Sequence, residues 1–236
     1  MSSFNLNRML ERKKKIQELK FHKIIEKESE DVEKDKQENS KKIQVVRKSL
    51  MQSLEDEIKT LAEDKQIKIF QWLNSWIYYL SYEDTFDSSK LMTYKRGDIV
   101  HVNFGFNVHN ELGGSHYAIV VEVDNAPTSG CVTVVPLRSE DTEEEAVNNM
   151  HEKTEVYLGS GVVCFGNGQN KYTVAKVNQI RAIDKMRILK PTNDKKHKVY
   201  PIDSELRKDI LNKVDKKIIE LFTKPKKTLD KSMPDE

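Results

Sequence analysis

His116 is the side chain in this sequence best placed to do chemistry. It follows Gly113-Gly114 and stands just ahead of a continuously apolar run, Ala118 to Val121. An imidazole titrates near neutral pH, so it can take up or release a proton under ordinary conditions. Fixed at the end of a rigid strand it keeps one position, and neighbouring glycines let backbone and ligand come close. His101 and His109 have no partner visible in the sequence and are given no role. Cys131 and Cys164, the two cysteines, make no metal-type cluster. They are expected as small buried side chains in a reduced compartment, without a disulfide. Neither a metal nor a cofactor is expected.

The elements that must position His116 lie between Tyr94 and Val123. Val100, Val102 and Phe104 alternate with Ile99, His101 and Asn103, which is the period of a strand with one buried face. Ala118 to Val121 reads as a second strand, buried on both sides. Downstream, Asn125 to Gly130 is a loop and Cys131 to Leu137 a β-branched strand, with Pro136 implying an edge or bulge near its end. Ser139 to His151 is polar and acidic and is expected as a mobile loop. Thr154–Leu158, Gly161–Phe165 and Tyr172–Ile183 complete the strand candidates. Many short strands broken by frequent turns favour a small barrel over a parallel α/β sheet. A helix is predicted over Glu205–Phe222, with Asp203 or Ser204 as cap and Leu206, Ile210, Val214, Ile218 and Leu221 as its apolar stripe.

The first part of the chain differs in character. Residues from about Leu6 to Glu63 contain neither Gly nor Pro. Ile16, Leu19, Phe21, Ile24 and Ile25 give a short helical stripe, which fails over Glu28–Asn39. It resumes at Ile43, Val46, Leu50, Leu54, Ile58 and Leu61. Two helices are expected, folded into a hairpin or paired with another copy as a coiled coil. The stretch between them is either a solvated helix or a flexible break. Gln66 to Tyr82, with Phe70, Trp72, Trp76 and Tyr79, is apolar on more than one side and reads as a docking helix. The expected organisation is a helical region over 1–92, a compact α+β domain over 93–224 and a disordered tail over 225–236.

Forty Lys and Arg balance thirty-eight Asp and Glu, a net charge of +2, so overall charge does not announce a nucleic-acid binder. Arg12 to Lys15 is followed by no apolar segment of signal-peptide type, and Trp72 to Leu80 is too short to span a bilayer. A cytoplasmic protein with no membrane association is expected.

Arg96-Gly97-Asp98-Ile99-Val100, Glu111-x-Gly113-Gly114-x-His116, Val132 to Leu137 and Val177 to Lys185 follow one another in the chain. In that order they resemble the MazF/PemK toxins of type II toxin–antitoxin systems, over roughly Thr93 to Thr223. The resemblance implies an SH3-like small β-barrel with a C-terminal helix, as in MazF, PemK and CcdB. It also implies a sequence-selective, metal-independent endoribonuclease acting on single-stranded RNA, a homodimer, and a cognate antitoxin as partner. A toxin directed at DNA or gyrase on the related fold is disfavoured, because the match is to the ribonuclease branch. The helical half lies outside the resemblance. It is expected to oligomerise, recruit a partner, or cover the RNA groove.

Family members carry an arginine where this chain has His116, and a threonine or serine where it has Arg138. The departures imply one of two things. Either catalysis is lost, leaving a module that binds nucleic acid or an antitoxin, or its roles are redistributed. On the second reading His116 is the general acid/base, Arg138 the phosphate clamp and Ser139 a hydrogen-bond donor. Glu111 would orient His116 or touch a base, Gly113 and Gly114 would line the substrate groove, and Gln179 would read a base edge. Lys95, Arg96 and Lys176 are candidates for a basic rim.

Overall fold

The protein is described here by a computed structural model covering residues 32–164, 170–189 and 204–223. The stripe at Ile16–Ile25 and the tail over 225–236 lie outside those residues. Two compact units are present, Met1–Ile67 and Lys68–Glu236. The first contains helix α1, Val32–Lys59, and the opening residues of α2, Glu63–Tyr82. From Val32 onward the charge-rich stretch is helical. Along α1 only part of the apolar stripe is covered: Val46 and Ile58 are buried, while Ile43, Leu50 and Leu54 are exposed. No helix among the described residues is long and apolar enough to cross a membrane.

The second unit is built on six antiparallel strands: β1 (Ile99–Asn103), β2 (Ser115–Val120), β3 (Cys131–Glu140), β4 (Glu155–Cys164), β5 (Asn170–Lys176) and β6 (Arg181–Asp184). Their order is β1-β2-β3-β5-β4, and β6 also pairs with β3. The expected barrel does not close. Among the described residues β4 pairs only with β5, and the free edge of β1 meets no full strand. It is met instead by a single bridge, Val102 to Ile188, and by the Leu189 N–H donating to the His101 carbonyl at 2.8 Å.

β3 changes partner along its length. Val134 to Pro136 pair with β2, while the other edge pairs with β6 over Cys131–Val134 and with β5 over Leu137–Glu140. Pro136 is thus inside the central strand, not at an edge. The hydrogen bond from Val121 N to Thr133 O, at 3.1 Å, sets the phase of the β2–β3 ladder. In that phase the nitrogen of residue 136 points away from β2, toward the gap between β6 and β5, where no donor is required.

Four further expectations need correction. The two strands expected to either side of Gly159 are one strand over Glu155–Cys164, β4, carried past its irregularities by Gly159 and Gly161, both at positive φ. Tyr172–Ile183 is two strands separated by a 3₁₀ turn, Val177–Gln179, because Thr154 O accepts the N–H groups of Val177 and Asn178 and bends the chain. The acidic loop contains α3, Glu143–Asn148, whose first turn is capped by Thr142 accepting from Glu145 N. Cys131 is also exposed rather than buried, since β3 starts at the surface.

Burial divides between the faces of the sheet. Val100, Val102, Phe104, Ala118, Val120, Val132, Val134 and Ile183 form one cluster. Ile99, Ile119, Val135, Leu137, Leu158, Val162, Ala175 and Val177 form the other, covered by Ile210 and Val214 of α4, Ser204–Phe222. The Arg96-Gly97-Asp98 motif clasps that helix: Arg96 pairs with Asp215, and Arg207 with Asp98 at 3.4 Å. Arg96 is therefore a structural residue and not part of a basic rim.

Within this unit, α2 docks on the end of β1 through two aromatic side chains. Asn103 donates to the Tyr79 hydroxyl at 3.2 Å, and the Arg187 guanidinium lies over Trp72, 5.3 Å from the ring centre. Trp72 leaves no room for a side chain at Gly105, where a Cβ would meet its ring at 2.8 Å with φ at +82°. Gly105→Ala is expected to destabilise the protein by about 2–3 kcal/mol, combining a left-handed backbone with overpacking. In a Trp72→Leu background the penalty should fall to about 1 kcal/mol, the backbone part alone. Urea unfolding of the four proteins in that cycle measures both figures.

Candidate active site

The strand registers bring several polar side chains to one face of the sheet. Ala118 pairs with Pro136, so the same register continued two residues sets His116 beside Arg138. Leu137 pairs with Ala175, which sets Lys176 beside Pro136, and Glu155 pairs directly with Lys176. Since alternate residues share a face, His116, Arg138, Lys176 and Glu155 lie on one side of four neighbouring strands. Ser139 falls on the other side, opposite Thr173. The expected trio of His116, Arg138 and Ser139 is not brought together.

His116 is held by backbone carbonyls. Its Nε2 is 3.0 Å from Gly113 O, and the Leu137 carbonyl is a second acceptor beside the ring. The β2–β3 ladder stops at Ala118–Pro136, and beyond that point the ring supplies a donor to β3. Burial pushes the His116 pKa below its ordinary value and the nearby Lys176 ammonium adds to this, outweighing the two carbonyls, which favour the charged ring. The ring is consequently neutral at pH 7, with one N–H for two acceptors. His101, stacked on Tyr117 with ring centres 4.7 Å apart, is lowered as well, by burial first and by His116 second.

Arg138 is bracketed by carboxylates, paired with Glu140 and 3.5 Å from Glu155. Glu155 is the hub of the cluster, its side chain only 6% exposed. It accepts from Lys176 Nζ at 2.7 Å and from His151 N–H at 3.2 Å. Burial alone would raise its pKa, but those hydrogen bonds and the charges of Lys176 and Arg138 prevail and lower it. Sequence reasoning passed over Glu155 because nothing in the chain marks a lone carboxylate as buried.

The loop between β1 and β2 is shaped by its glycines. Gly114 has φ at +80°, donates to Gly105 O at 2.6 Å and accepts from Phe104 N at 2.8 Å. At Gly113 a Cβ would meet Gly105 O at 2.7 Å, so that position demands close backbone approach. Gln179 latches the same loop, accepting from Leu112 N at 3.2 Å and donating to Asn110 O at 3.4 Å. Arg181 reinforces it through Leu112 O and Gln179 Oε1, and lies over Phe104. The Gln179 amide is thus committed to backbone. Glu111 is exposed at the loop tip, with only its N–H engaged, by Val108 O.

Residues 95–222, more than half of the chain, match the family described as PemK-like, MazF-like toxin of type II toxin–antitoxin system. The chain belongs to that family. Its PemK/MazF region begins four residues before β1 and takes in all six strands and α4. Both His116 and Arg138, and the Glu155–Lys176 pair beside them, therefore sit inside the PemK/MazF domain. No curated protein matches the chain.

Proposed function

We propose that this chain is a toxin-like endoribonuclease acting on single-stranded RNA. The observation that carries the reading is the register that sets His116 beside Arg138 on one sheet face of a PemK/MazF domain. In the reaction the ribose 2′-OH attacks the adjacent phosphorus, and the bond to the 5′ oxygen breaks. The products are a cyclic phosphate and a 5′-OH. His116 takes the 2′ proton after giving up one of its carbonyl partners, and the waiting second carbonyl then stabilises the imidazolium. The imidazolium returns the proton to the departing 5′ oxygen. Arg138 exchanges a carboxylate for the phosphate oxygens, where negative charge builds. Ser139 is left out because β3 turns it to the other face, and Gln179 shapes the groove instead of reading a base. A cognate antitoxin and a second copy of the chain are the partners that family membership implies.

The test is incubation of the purified full chain with mixed RNA in EDTA, with mapping of both new ends. Cyclic phosphate and 5′-OH termini are expected, and intact RNA after prolonged incubation would overturn the proposal. Because the neutral ring is the base and its pKa is lowered, kcat/KM should fall off only below about pH 6.5. A fall-off at higher pH would assign the proton transfer elsewhere.

One observation favours a second reading, a catalytically silent module that binds RNA or an antitoxin. Both acceptors of His116 and both partners of Arg138 are protein groups, so neither side chain points at open solvent in want of a ligand. That reading expects RNA to bind in EDTA without being cut.

A further inference from the structure

We propose that Lys176 is a phosphate-binding residue of this site, positioned by Glu155, and that it acts beside Arg138 as the second cation on a bound RNA backbone. The proposal rests on reading the site as one for a phosphodiester. Its observations are separate from those at Arg138. The guanidinium has Nη1 on Glu140 and Nη2 on Glu155, so both ends of its fork already face carboxylates. The Lys176 ammonium has three donors and spends one on Glu155 Oε1, at 2.7 Å. Its neighbour on β3 is Pro136, whose side chain offers no acceptor to compete for it. The side chain remains 25% exposed, against 6% for Glu155, so a ligand approaching the face reaches the ammonium first. Its charge also disfavours protonation of His116, on the same face of the sheet. In this arrangement Glu155 fixes Lys176 across the β4–β5 pair and holds it neutralised until phosphate oxygens compete for the cation.

The competing role for Lys176 is purely structural, as counter-ion to a buried carboxylate. The two are separated by titrating inorganic phosphate into the full chain and following the His116 ring resonance. Glu155→Gln keeps one acceptor oxygen, enough for Lys176 or for His151 N–H, and removes the competing charge, so phosphate should bind about fivefold tighter than to the parent. Adding Lys176→Met in that background should weaken binding about tenfold, while adding Lys171→Met, a β5 lysine paired with Asp141, should leave it unchanged. Equal binding by Glu155→Gln with and without Lys176→Met would overturn the proposal, as would equal weak binding by every variant. RNA cleavage measured in parallel separates the two conclusions. Lys176-dependent phosphate binding without cleavage sinks the nuclease and leaves this site standing. Cleavage with Lys176-independent phosphate binding does the reverse.

Discussion

His116→Ala is expected to reduce RNA cleavage by about 10²–10⁴-fold, the range for losing a general acid–base group. The substitution also loosens the Gly113 loop from β3, because the ring sits between the Gly113 and Leu137 carbonyls. Activity loss alone would therefore leave the cause open. His116→Gln supplies the control. Its amide can still donate to a carbonyl but cannot move a proton at neutral pH. The expected outcome is an unfolding midpoint near that of the parent and a cleavage rate as low as that of the alanine variant. A glutamine variant that cuts RNA at the parental rate would assign His116 to structure and move the chemistry elsewhere.

The largest effect on stability is expected at Glu155. Alanine there leaves Lys176 and part of Arg138 without their carboxylate and the His151 N–H without its acceptor. Breaking such a pair from one side costs about 3–5 kcal/mol, because a partly buried cation stays behind uncompensated. Glutamine should cost less, since one of the two acceptor oxygens remains. Urea unfolding at pH 7 measures both, and parental stability in the alanine variant would show that the cluster contributes nothing. The sign with pH also follows. Glu155 has a lowered pKa in the fold, so its stabilisation is complete above the unfolded carboxylate value, about 4.3, and is lost as pH falls through the lower folded value. The glutamine variant should accordingly show a flatter loss of stability below pH 4.3 than the parent.

What could be read in the sequence was what local pattern encodes. Alternation over Ile99–Phe104 and the apolar run Ala118–Val121 gave β1 and β2, and the three-to-four spacing after Ser204 gave α4. Thr142-x-x-Glu145 was an overlooked helix start, and the signal for it was there. Long-range register was not legible. It decides that Pro136 lies mid-strand, that Ser139 faces away from Arg138, and that Glu155 is opposite Lys176. It also decides that Gln179 spends its amide on loop carbonyls and N–H groups nearly seventy residues away in the chain. The Arg96-Gly97-Asp98 motif carried family information correctly, yet its physical task is to grip α4. Motif residues in this chain mark the fold at least as often as they mark the chemistry.

The change of partner along β3 has a consequence for how the molecule opens. β6 is hydrogen-bonded to the first part of that strand and β5 to the last, with Pro136 at the changeover. No ladder bond crosses the gap, so β5 and β4 can lift from β3 without breaking the β6 pairing. Amide exchange should then report two protection classes, one for Cys131–Val134 with β6 and another for Leu137–Glu140 with β5. The site lies along that seam. Lys176 and Glu155 belong to the half that can breathe, whereas Arg138 on β3 and His116 on β2 are rooted in the half that stays shut.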